Sequence, residues 1–164
     1  MISKPLGTAI ALAGGSDADK AEAIAGMRQL NRLASEALQA QGAAVHAVTD
    51  VTGFGLFGHS WEMAERAGAV FAYDYNRLPM YAGVVDALAR GVRTGGDPRN
   101  REHVQHHVSA SADLTDAQVA IGYDPQTSGG LLAAVSALVE ADLVAAGFVT
   151  IGTVIAGDAQ IVLQ

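Results

Sequence analysis

The sequence has no cysteine among its 164 residues, and only 5% of them are aromatic. Without cysteine, the chain has no disulfide framework, no thiolate metal site and no cysteine nucleophile of its own. Charged residues make up only 16% of the sequence, whereas 50% of the residues are hydrophobic. This composition is typical of a folded protein rather than a disordered segment, and the length suits one domain of ordinary size.

Positive charge is scarce, because 10 lysines and arginines face 17 acidic residues and the formal net charge is -7. No cluster of lysine and arginine is large enough to predict binding to nucleic acid. No apolar run approaches the roughly 20 residues that span a bilayer, so we expect no membrane segment. Pro5 and Gly7 interrupt the apolar N-terminal run, which argues against a signal peptide. The acidic balance fits a cytoplasmic protein.

The order of apolar periodicities and turn residues predicts alternating strands and helices. Strands are predicted at residues 7–15, 44–50, 69–75 and 131–135, and a hairpin-like pair of strands is predicted at the C-terminal end. Helices are predicted at 17–42, 53–68, 81–91, 114–122 and 136–146, and a long polar loop with room for one short element at 92–112. The predicted caps and stops are Asp17, Gly42, Gly68 and Thr115. We therefore expect a single α/β domain in which a mixed sheet packs against helices.

The stretch TDVTGFGLFGH, residues 49–59, places Asp50 between a predicted strand and the first turn of a predicted helix. Ligands of α/β proteins collect at the carboxyl ends of strands, and a helix N-terminus favours phosphate. Gly53 and Gly55 would let the backbone approach such a ligand closely. Asp50 could then hold Mg²⁺ against phosphate oxygens. The alternative is an N-cap aspartate followed by glycines that only form a turn.

The stretch YDPQTSGGLL, residues 123–132, begins a turn at Asp124 and continues into hydroxyl side chains and flexible backbone. The segment from Thr127 to Gly130 could form a concave anion-binding nest of backbone N–H groups. A plain loop that leads into a buried strand is the alternative. The spacing G-x-x-x-x-G-K-[ST] of a Walker A phosphate loop does not occur in the sequence.

The histidines give weaker evidence of a functional site than the two glycine-rich stretches do. His103, His106 and His107 would share one helix face, so a zinc site is conceivable, but a solvated polar segment is favoured. For His59, a capping or packing role is favoured over catalysis. Trp61 and Met63 are predicted to lie in the core or in an interface.

Taken together, four segments resemble selenophosphate synthetase, also called selenide, water dikinase. The similarity runs from about residue 3 to about residue 157, in the same order as in that family. The residues that carry it are Lys4-Pro-Leu-Gly7, Thr49-Asp-Val-Thr-Gly-Phe-Gly-Leu56 with Gly58-His59, Gly95-Gly96 with Arg99-Asn100, and Asp124-Pro-Gln-Thr-Ser-Gly-Gly-Leu-Leu132. Phe57 departs from the family, in which a leucine or alanine is usual at this place.

The resemblance implies the C-terminal domain of the aminoimidazole ribonucleotide synthetase-like fold, an α/β (α+β) domain with a mixed sheet flanked by helices. It implies a reaction in which ATP, selenide and water give selenophosphate, phosphate and AMP. It also implies that Asp50 is a ligand of Mg²⁺ at the ATP phosphates. The loop residues expected near the phosphates are Thr52, Gly53, Gly55, Thr127, Ser128, Gly129 and Gly130.

The resemblance also implies a second, N-terminal domain, which would carry a cysteine or selenocysteine, its partner lysine, the other metal-binding aspartates and most of the ATP-binding loop. No segment of residues 1–164 corresponds to it. We therefore expect a single C-terminal domain without catalytic residues of its own, inactive when alone. We also expect a homo-oligomer, because a surface that normally faces the other domain would be exposed. The alternative is a non-catalytic module of the same fold that binds a nucleotide or a protein.

Overall fold

The computed structural model describes all 164 residues. Eight α-helices and six strands follow one another along the chain. The helices are α1 (Thr8–Gly14), α2 (Asp17–Arg28), α3 (Arg32–Ala40), α4 (Gly55–Ala67), α5 (Val84–Ala89), α6 (Asp97–Val104), α7 (Asp116–Val119) and α8 (Glu140–Ala145). The strands are β1 (Val45–Asp50), β2 (Ala69–Tyr73), β3 (Val108–Ala110), β4 (Leu131–Val135), β5 (Gly152–Ala156) and β6 (Gln160–Leu163).

The strands form two sheets. β1 and β4 make an antiparallel ribbon in which Asp50 lies opposite Leu131. The other four strands form a mixed sheet in the order β3-β6-β2-β5, with β6 parallel to both of its neighbours and β5 antiparallel to β2. A mixed sheet with flanking helices confirms the predicted α/β class.

The prediction of a closing hairpin is wrong, because β2 lies between β5 and β6. The side chains of Phe71 and Tyr73 on β2 are buried. A buried strand needs hydrogen-bond partners for its backbone along both edges, and β5 and β6 supply one edge each. The link between them crosses the start of β2 at Gly157, which has a φ of 154°.

The segment predicted as a strand at 7–15 is the helix α1. Its residues Ile10 and Ala11 are buried while Leu12 is exposed, which is a helical pattern and not the alternation of a strand. Gly7 precedes the helix with a φ of 94°, in the left-handed region that suits glycine.

The predicted helix 17–42 is two helices, because tertiary contacts hold the link between α2 and α3. The carbonyl of Gln29 accepts a hydrogen bond from Nζ of Lys4, and Nδ2 of Asn31 donates to the carbonyl of Gly129. The N-cap of α2 is Ser16 rather than Asp17. Likewise, the predicted loop 92–112 contains the helix α6 and the short strand β3.

The elements nearest the two glycine-rich stretches are confirmed. β1, β2, β4 and α4 lie where the sequence predicts them, apart from a residue or two at their ends. Gly68 ends α4 in the left-handed conformation, with a φ of 59°. Thr115 caps α7 through a reciprocal pair of hydrogen bonds with Gln118. No helix is both long and apolar enough to cross a membrane.

The main hydrophobic core joins α4 to the segment that carries the second glycine-rich stretch. Phe57 on α4 is fully buried, and its ring meets the ring of Tyr123 edge-on, with a centroid distance of 5.0 Å. Gly122 leaves no room for a side chain, because an added Cβ would collide with the Phe57 ring. This contact fixes the position of Asp124, the residue that follows Tyr123.

We expect Phe57→Ala to lower the free energy of unfolding by about 3–5 kcal/mol, because the deleted ring leaves a cavity at a fully buried site. Leu138→Ala is the matched control, since Leu138 is 92% exposed and should change stability by less than about 0.5 kcal/mol. Denaturant unfolding followed by circular dichroism measures both. Equal stabilities of the two variants would contradict the assignment of Phe57 to the core.

Candidate functional site

The two glycine-rich stretches lie side by side where β1 ends. The backbone N–H of Val51 donates to the carbonyl of Gly130 at 2.9 Å, and the N–H of Gln126 donates to the carbonyl of Thr52 at 2.9 Å. These bonds continue the β1–β4 ribbon beyond Asp50. The structure therefore brings together two loops that are about 75 residues apart in the sequence.

The segment Lys4–Gly7 forms a third wall of this site. Oε1 of Gln126 accepts hydrogen bonds from the N–H groups of Gly7 and Thr8, at 3.0 and 3.1 Å. Nζ of Lys4 donates to the carbonyl of Ser128 at 3.0 Å. Ser128 has a φ of 53°, the only positive φ outside glycine, and the Lys4 bond helps to hold this unfavourable conformation.

Asn100 joins the two loops through its side chain, which is buried. Nδ2 of Asn100 donates to the carbonyl of Gly53 at 2.9 Å and to the carbonyl of Tyr123 at 2.8 Å. Both carbonyls would otherwise lose a partner, and one of them lies in the candidate phosphate loop. The side chain of Asn100 therefore links the two loops like a brace, by hydrogen bonds to both. The position of Asn100 in the sequence did not reveal this role.

The glycines of the site serve different purposes. A Cβ on Gly129 would collide with the carbonyl oxygen of Val51, and a Cβ on Gly55 would lie 2.8 Å from the carbonyl oxygen of Gly122. Both glycines therefore allow the protein's own loops to pack together. Gly53 is different, because nothing lies within 4 Å of an added Cβ and its backbone is exposed.

The backbone N–H groups of the two loops also differ in their partners. The N–H of Thr127 donates to Oγ1 of Thr8 at 2.9 Å. The N–H groups of Gly53 and Ser128 have no partner within the chain. The N–H groups of Thr52, Gly129 and Gly130 also lack a partner, but only Gly53 and Ser128 are exposed as well as unpartnered, so their donors are the ones accessible to a ligand. Thr127 is left with only its side chain to offer.

Asp50 is exposed at the edge of this site, on an open depression of about 490 Å³ lined also by Asn31, Arg32 and Thr49. Its carboxylate accepts no hydrogen bond from the protein. A free carboxylate fits Mg²⁺, which binds one or two carboxylates and keeps water and phosphate as its other ligands. No group of three or more acidic, histidine or cysteine side chains assembles anywhere in the chain, so Asp50 is the single carboxylate that this site offers a metal ion.

Asp124 is a buried carboxylate that the sequence identified only as the first residue of a turn. Its oxygens accept hydrogen bonds from the N–H of Ile10, from Oγ1 of Thr94 and from Nε2 of Gln126. Burial outweighs these bonds and raises the pKa of Asp124 to about 7. No pattern in the sequence indicated an interior polar cluster here, and Gln126, two residues later, is buried with Asp124 in the structure.

The histidines do not assemble into a zinc site. His107 stacks on Trp61, with a centroid distance of 3.6 Å, and His103 packs against Phe54. Trp61 packs at the margin of the main core, and Met63 is buried within it. His59 is buried and its Nε2 lies 3.0 Å from Oγ1 of Thr52, which agrees with the predicted packing role. His59 does not cap α4, because the N-cap of that helix is Phe54 and no side chain caps its backbone there.

Comparison with known protein families shows the family to which the chain belongs. Residues 6–162 match the family described as AIR synthase related protein, C-terminal domain. The chain belongs to this family. The match covers α1 to β6, and with them all three walls of the site except the first residues of the Lys4 segment.

Curated proteins with similar sequences are named selenide, water dikinase. The protein from Shewanella sp. (strain MR-4) is 44% identical over 129 residues, covering 79% of this chain and 35% of the relative. The protein from Pseudomonas straminea is 42% identical over 137 residues, covering 80% of this chain and 38% of the relative. These matches confirm the resemblance. The chain spans little more than a third of the length of these relatives.

A solved structure shares the fold. Hydrogenase maturation protein HypE in complex with ATP superposes with a TM-score of 0.64 at 15% identity, covering 99% of this chain and 45% of that protein. At this identity the likeness shows the fold alone. It confirms the predicted aminoimidazole ribonucleotide synthetase-like architecture.

We expect Asn100→Ala to lower the free energy of unfolding by about 2 kcal/mol, because two loop carbonyls lose their donor. Arg99→Ala is the control at the exposed neighbouring position and should stay within about 0.5 kcal/mol of the unchanged protein. Urea unfolding measures both variants. A cost for Asn100→Ala no larger than that for Arg99→Ala would show that the brace contributes nothing.

We expect Asp124→Asn to remove a pH dependence of stability. The pKa of Asp124 is about 7 in the folded protein and near 3.8 in the unfolded chain. Between these values the folded state binds more protons, so this carboxyl makes stability fall as pH rises from about 4 to about 7. Asparagine does not ionise. Relative to the unchanged protein, the variant should therefore gain roughly 2 kcal/mol in stability between about pH 5 and about pH 8.

The control for this measurement is Asp113→Asn, which changes an exposed carboxyl of the same kind. Urea unfolding at the two pH values gives the free energies. A difference between Asp124→Asn and the unchanged protein that does not grow with pH would contradict the raised pKa.

Proposed function

We propose that the chain contributes the magnesium-binding side of the nucleotide site in a selenide, water dikinase. This enzyme class makes selenophosphate from selenide, ATP and water, with AMP and phosphate as the other products. The observation that carries the proposal is the convergence of three separate stretches shared with that class. Lys4–Gly7, Thr49–His59 and Asp124–Leu132 are joined by hydrogen bonds at the end of β1. The names of the curated relatives support the choice of substrate.

In this proposal each part of the site has one task. Asp50 would hold Mg²⁺ through its free carboxylate, and the ion would neutralise charge on the triphosphate. Gly53 and Ser128 would direct their unpartnered N–H groups at phosphate oxygens. Phosphoryl transfer depends mainly on such positioning and charge neutralisation, so a rigid loop pair is the contribution that this chain can make.

We further propose that another domain covers the face that carries Asp50. Leu30 and Leu33 are 79% and 74% exposed, and they flank Asn31 and Arg32 in the wall of the depression beside Asp50. Exposed leucines next to a polar site are typical of a surface that a partner covers. The covering domain would supply the remaining metal ligands that the resemblance implies. Self-association through the same leucines, and a cytoplasmic location, stay predictions.

The test is a chimera in which this chain, with Lys4 included, replaces the C-terminal part of the Shewanella protein that it matches. Anaerobic phosphorus NMR with Mg²⁺, ATP and selenide should show selenophosphate for the chimera and none for this chain alone. Asp50→Asn in the chimera should lower the rate about 100-fold or more, because charge neutralisation at the phosphates is lost. Asp142→Asn, an exposed acid on α8, is the control and should leave the rate unchanged.

Several results would overturn the proposal. A chimera that folds, as judged by circular dichroism, but makes no selenophosphate would favour a module that only binds a nucleotide or a protein. Selenophosphate made by this chain alone would show that no other domain is needed. Full activity of the Asp50→Asn chimera would show that Asp50 does not hold the metal ion.

A further inference from the structure

Lys4 is a buried lysine beside the second glycine-rich loop. The residue is only 5% exposed, and its backbone packs on Gly130, where an added Cβ would lie 2.5 Å from the Lys4 nitrogen. Nζ of Lys4 donates to the carbonyl oxygen of Gln29 at 2.5 Å and to that of Ser128 at 3.0 Å. The ammonium group therefore lies between the α2–α3 link and the loop that holds Ser128.

The positive charge of Lys4 has no negative partner in the chain. No carboxylate lies within 4.0 Å of Nζ, and the two carbonyls that accept its protons carry no net charge. Lysine is almost never fully buried unless it is paired, because an uncompensated charge in the interior is costly. An ammonium has three donors, so one N–H of Lys4 is left without a partner. An anion bound nearby would supply the missing negative charge.

The loop beside Lys4 has backbone donors but lacks acceptors for them. The N–H groups of Ser128, Gly129 and Gly130 follow one another along the chain, and none of them has an acceptor within it. An unpaired N–H carries a partial positive charge, and successive N–H groups of this kind form anion-binding nests. Of the three residues only Ser128 is exposed, so its N–H is the one that a ligand can reach.

Lys4 is close enough to Ser128 for its charge to act on a ligand there. Nζ lies 3.0 Å from the carbonyl oxygen of Ser128. Three covalent bonds of about 1.2–1.5 Å each join that oxygen to the backbone nitrogen of the same residue, so the ammonium is at most about 7 Å from the donor nitrogen. Because Lys4 is buried, salt screens its charge less than it would screen the charge of an exposed lysine.

We propose that Lys4 supplies the positive charge that holds a phosphate group of the ligand at the N–H of Ser128. This inference rests on the proposed function and adds a residue to its phosphate site. Lys4 acts through its charge and through the loop that it orients, so it is a positioning residue and not a catalytic one. The bound phosphate would in turn provide the counter-charge that the chain itself does not give to Lys4.

The first experiment titrates inorganic pyrophosphate into the full chain, without added metal ion, and follows the backbone amides of Ser128 to Gly130 by NMR. Lys4→Met keeps most of the length of the side chain and removes its charge, so we expect it to weaken pyrophosphate binding about tenfold. Lys20→Met is the matched control, because Lys20 is the only other lysine and the variant loses the same charge. It should bind within about twofold of the unchanged protein. Equal affinities of the two lysine variants would overturn the inference.

The second experiment separates the charge of Lys4 from a purely structural role. A carbon-13 NMR pH titration of the unchanged protein measures the pKa of Lys4 with and without pyrophosphate. Burial lowers the pKa of Lys4 in the free protein, and a bound anion favours the charged ammonium, so pyrophosphate should raise this pKa. By linkage, tenfold tighter binding to the charged form corresponds to a rise of about one pH unit. A lysine that only holds the loop in shape would keep the same pKa in both titrations.

The outcomes separate this inference from the proposed function. A pKa of Lys4 that does not respond to pyrophosphate would overturn the inference, even if Lys4→Met failed to fold. Pyrophosphate that shifts no amide signal between Ser128 and Gly130 would also overturn it. Neither result removes the metal-binding role of Asp50, which selenophosphate synthesis by the chimera tests. Conversely, if the chimera makes no selenophosphate but pyrophosphate raises the pKa of Lys4, the proposed function fails and the anion site at Ser128 stands.

Discussion

The antiparallel pairing of β1 with β4 is the constraint on which the rest of the site depends. Asp50 lies opposite Leu131, and the next bond runs from the N–H of Val51 to the carbonyl of Gly130. Each strand continues directly into a glycine-rich loop at this end of the ribbon. Pairing the strands in this register therefore places the loops together, and a slip of one residue would turn Asp50 to the other face.

Buried amide side chains complete what the strand pairing begins. Gln126 accepts from the backbone of Gly7 and Thr8, and Asn100 donates to the carbonyls of Gly53 and Tyr123. An amide side chain has both donors and acceptors, so it can join loops whose own backbones cannot pair. These bonds involve no charge, and they leave the exposed carboxylate of Asp50 free. The result is a pair of cross-linked loops with one exposed acidic group at its edge, the arrangement on which the proposed phosphate-positioning role depends.

Much of the fold near the site was predictable, because local signals there agree with the tertiary structure. Alternating apolar residues indicated β1, and the position of Gly68 indicated the end of α4. The errors fall where tertiary contacts override local pattern. The Ala-rich segment after Gly7 is a helix although the sequence predicts a strand, because its short apolar run suits either structure. The break between α2 and α3 depends on contacts with Lys4 and Gly129, which are distant in sequence.

By itself, the sequence determined the family, the α/β class and the identity of the exposed acid at the end of β1. These follow from residue types and short spacings, which local chemistry dictates. Only the tertiary structure decided which groups face one another. It paired β2 with both β5 and β6, buried Asp124 among backbone donors and set His59 between Thr52 and Glu62. Burial and hydrogen-bond direction depend on contacts between distant parts of the chain, and no local pattern encodes them.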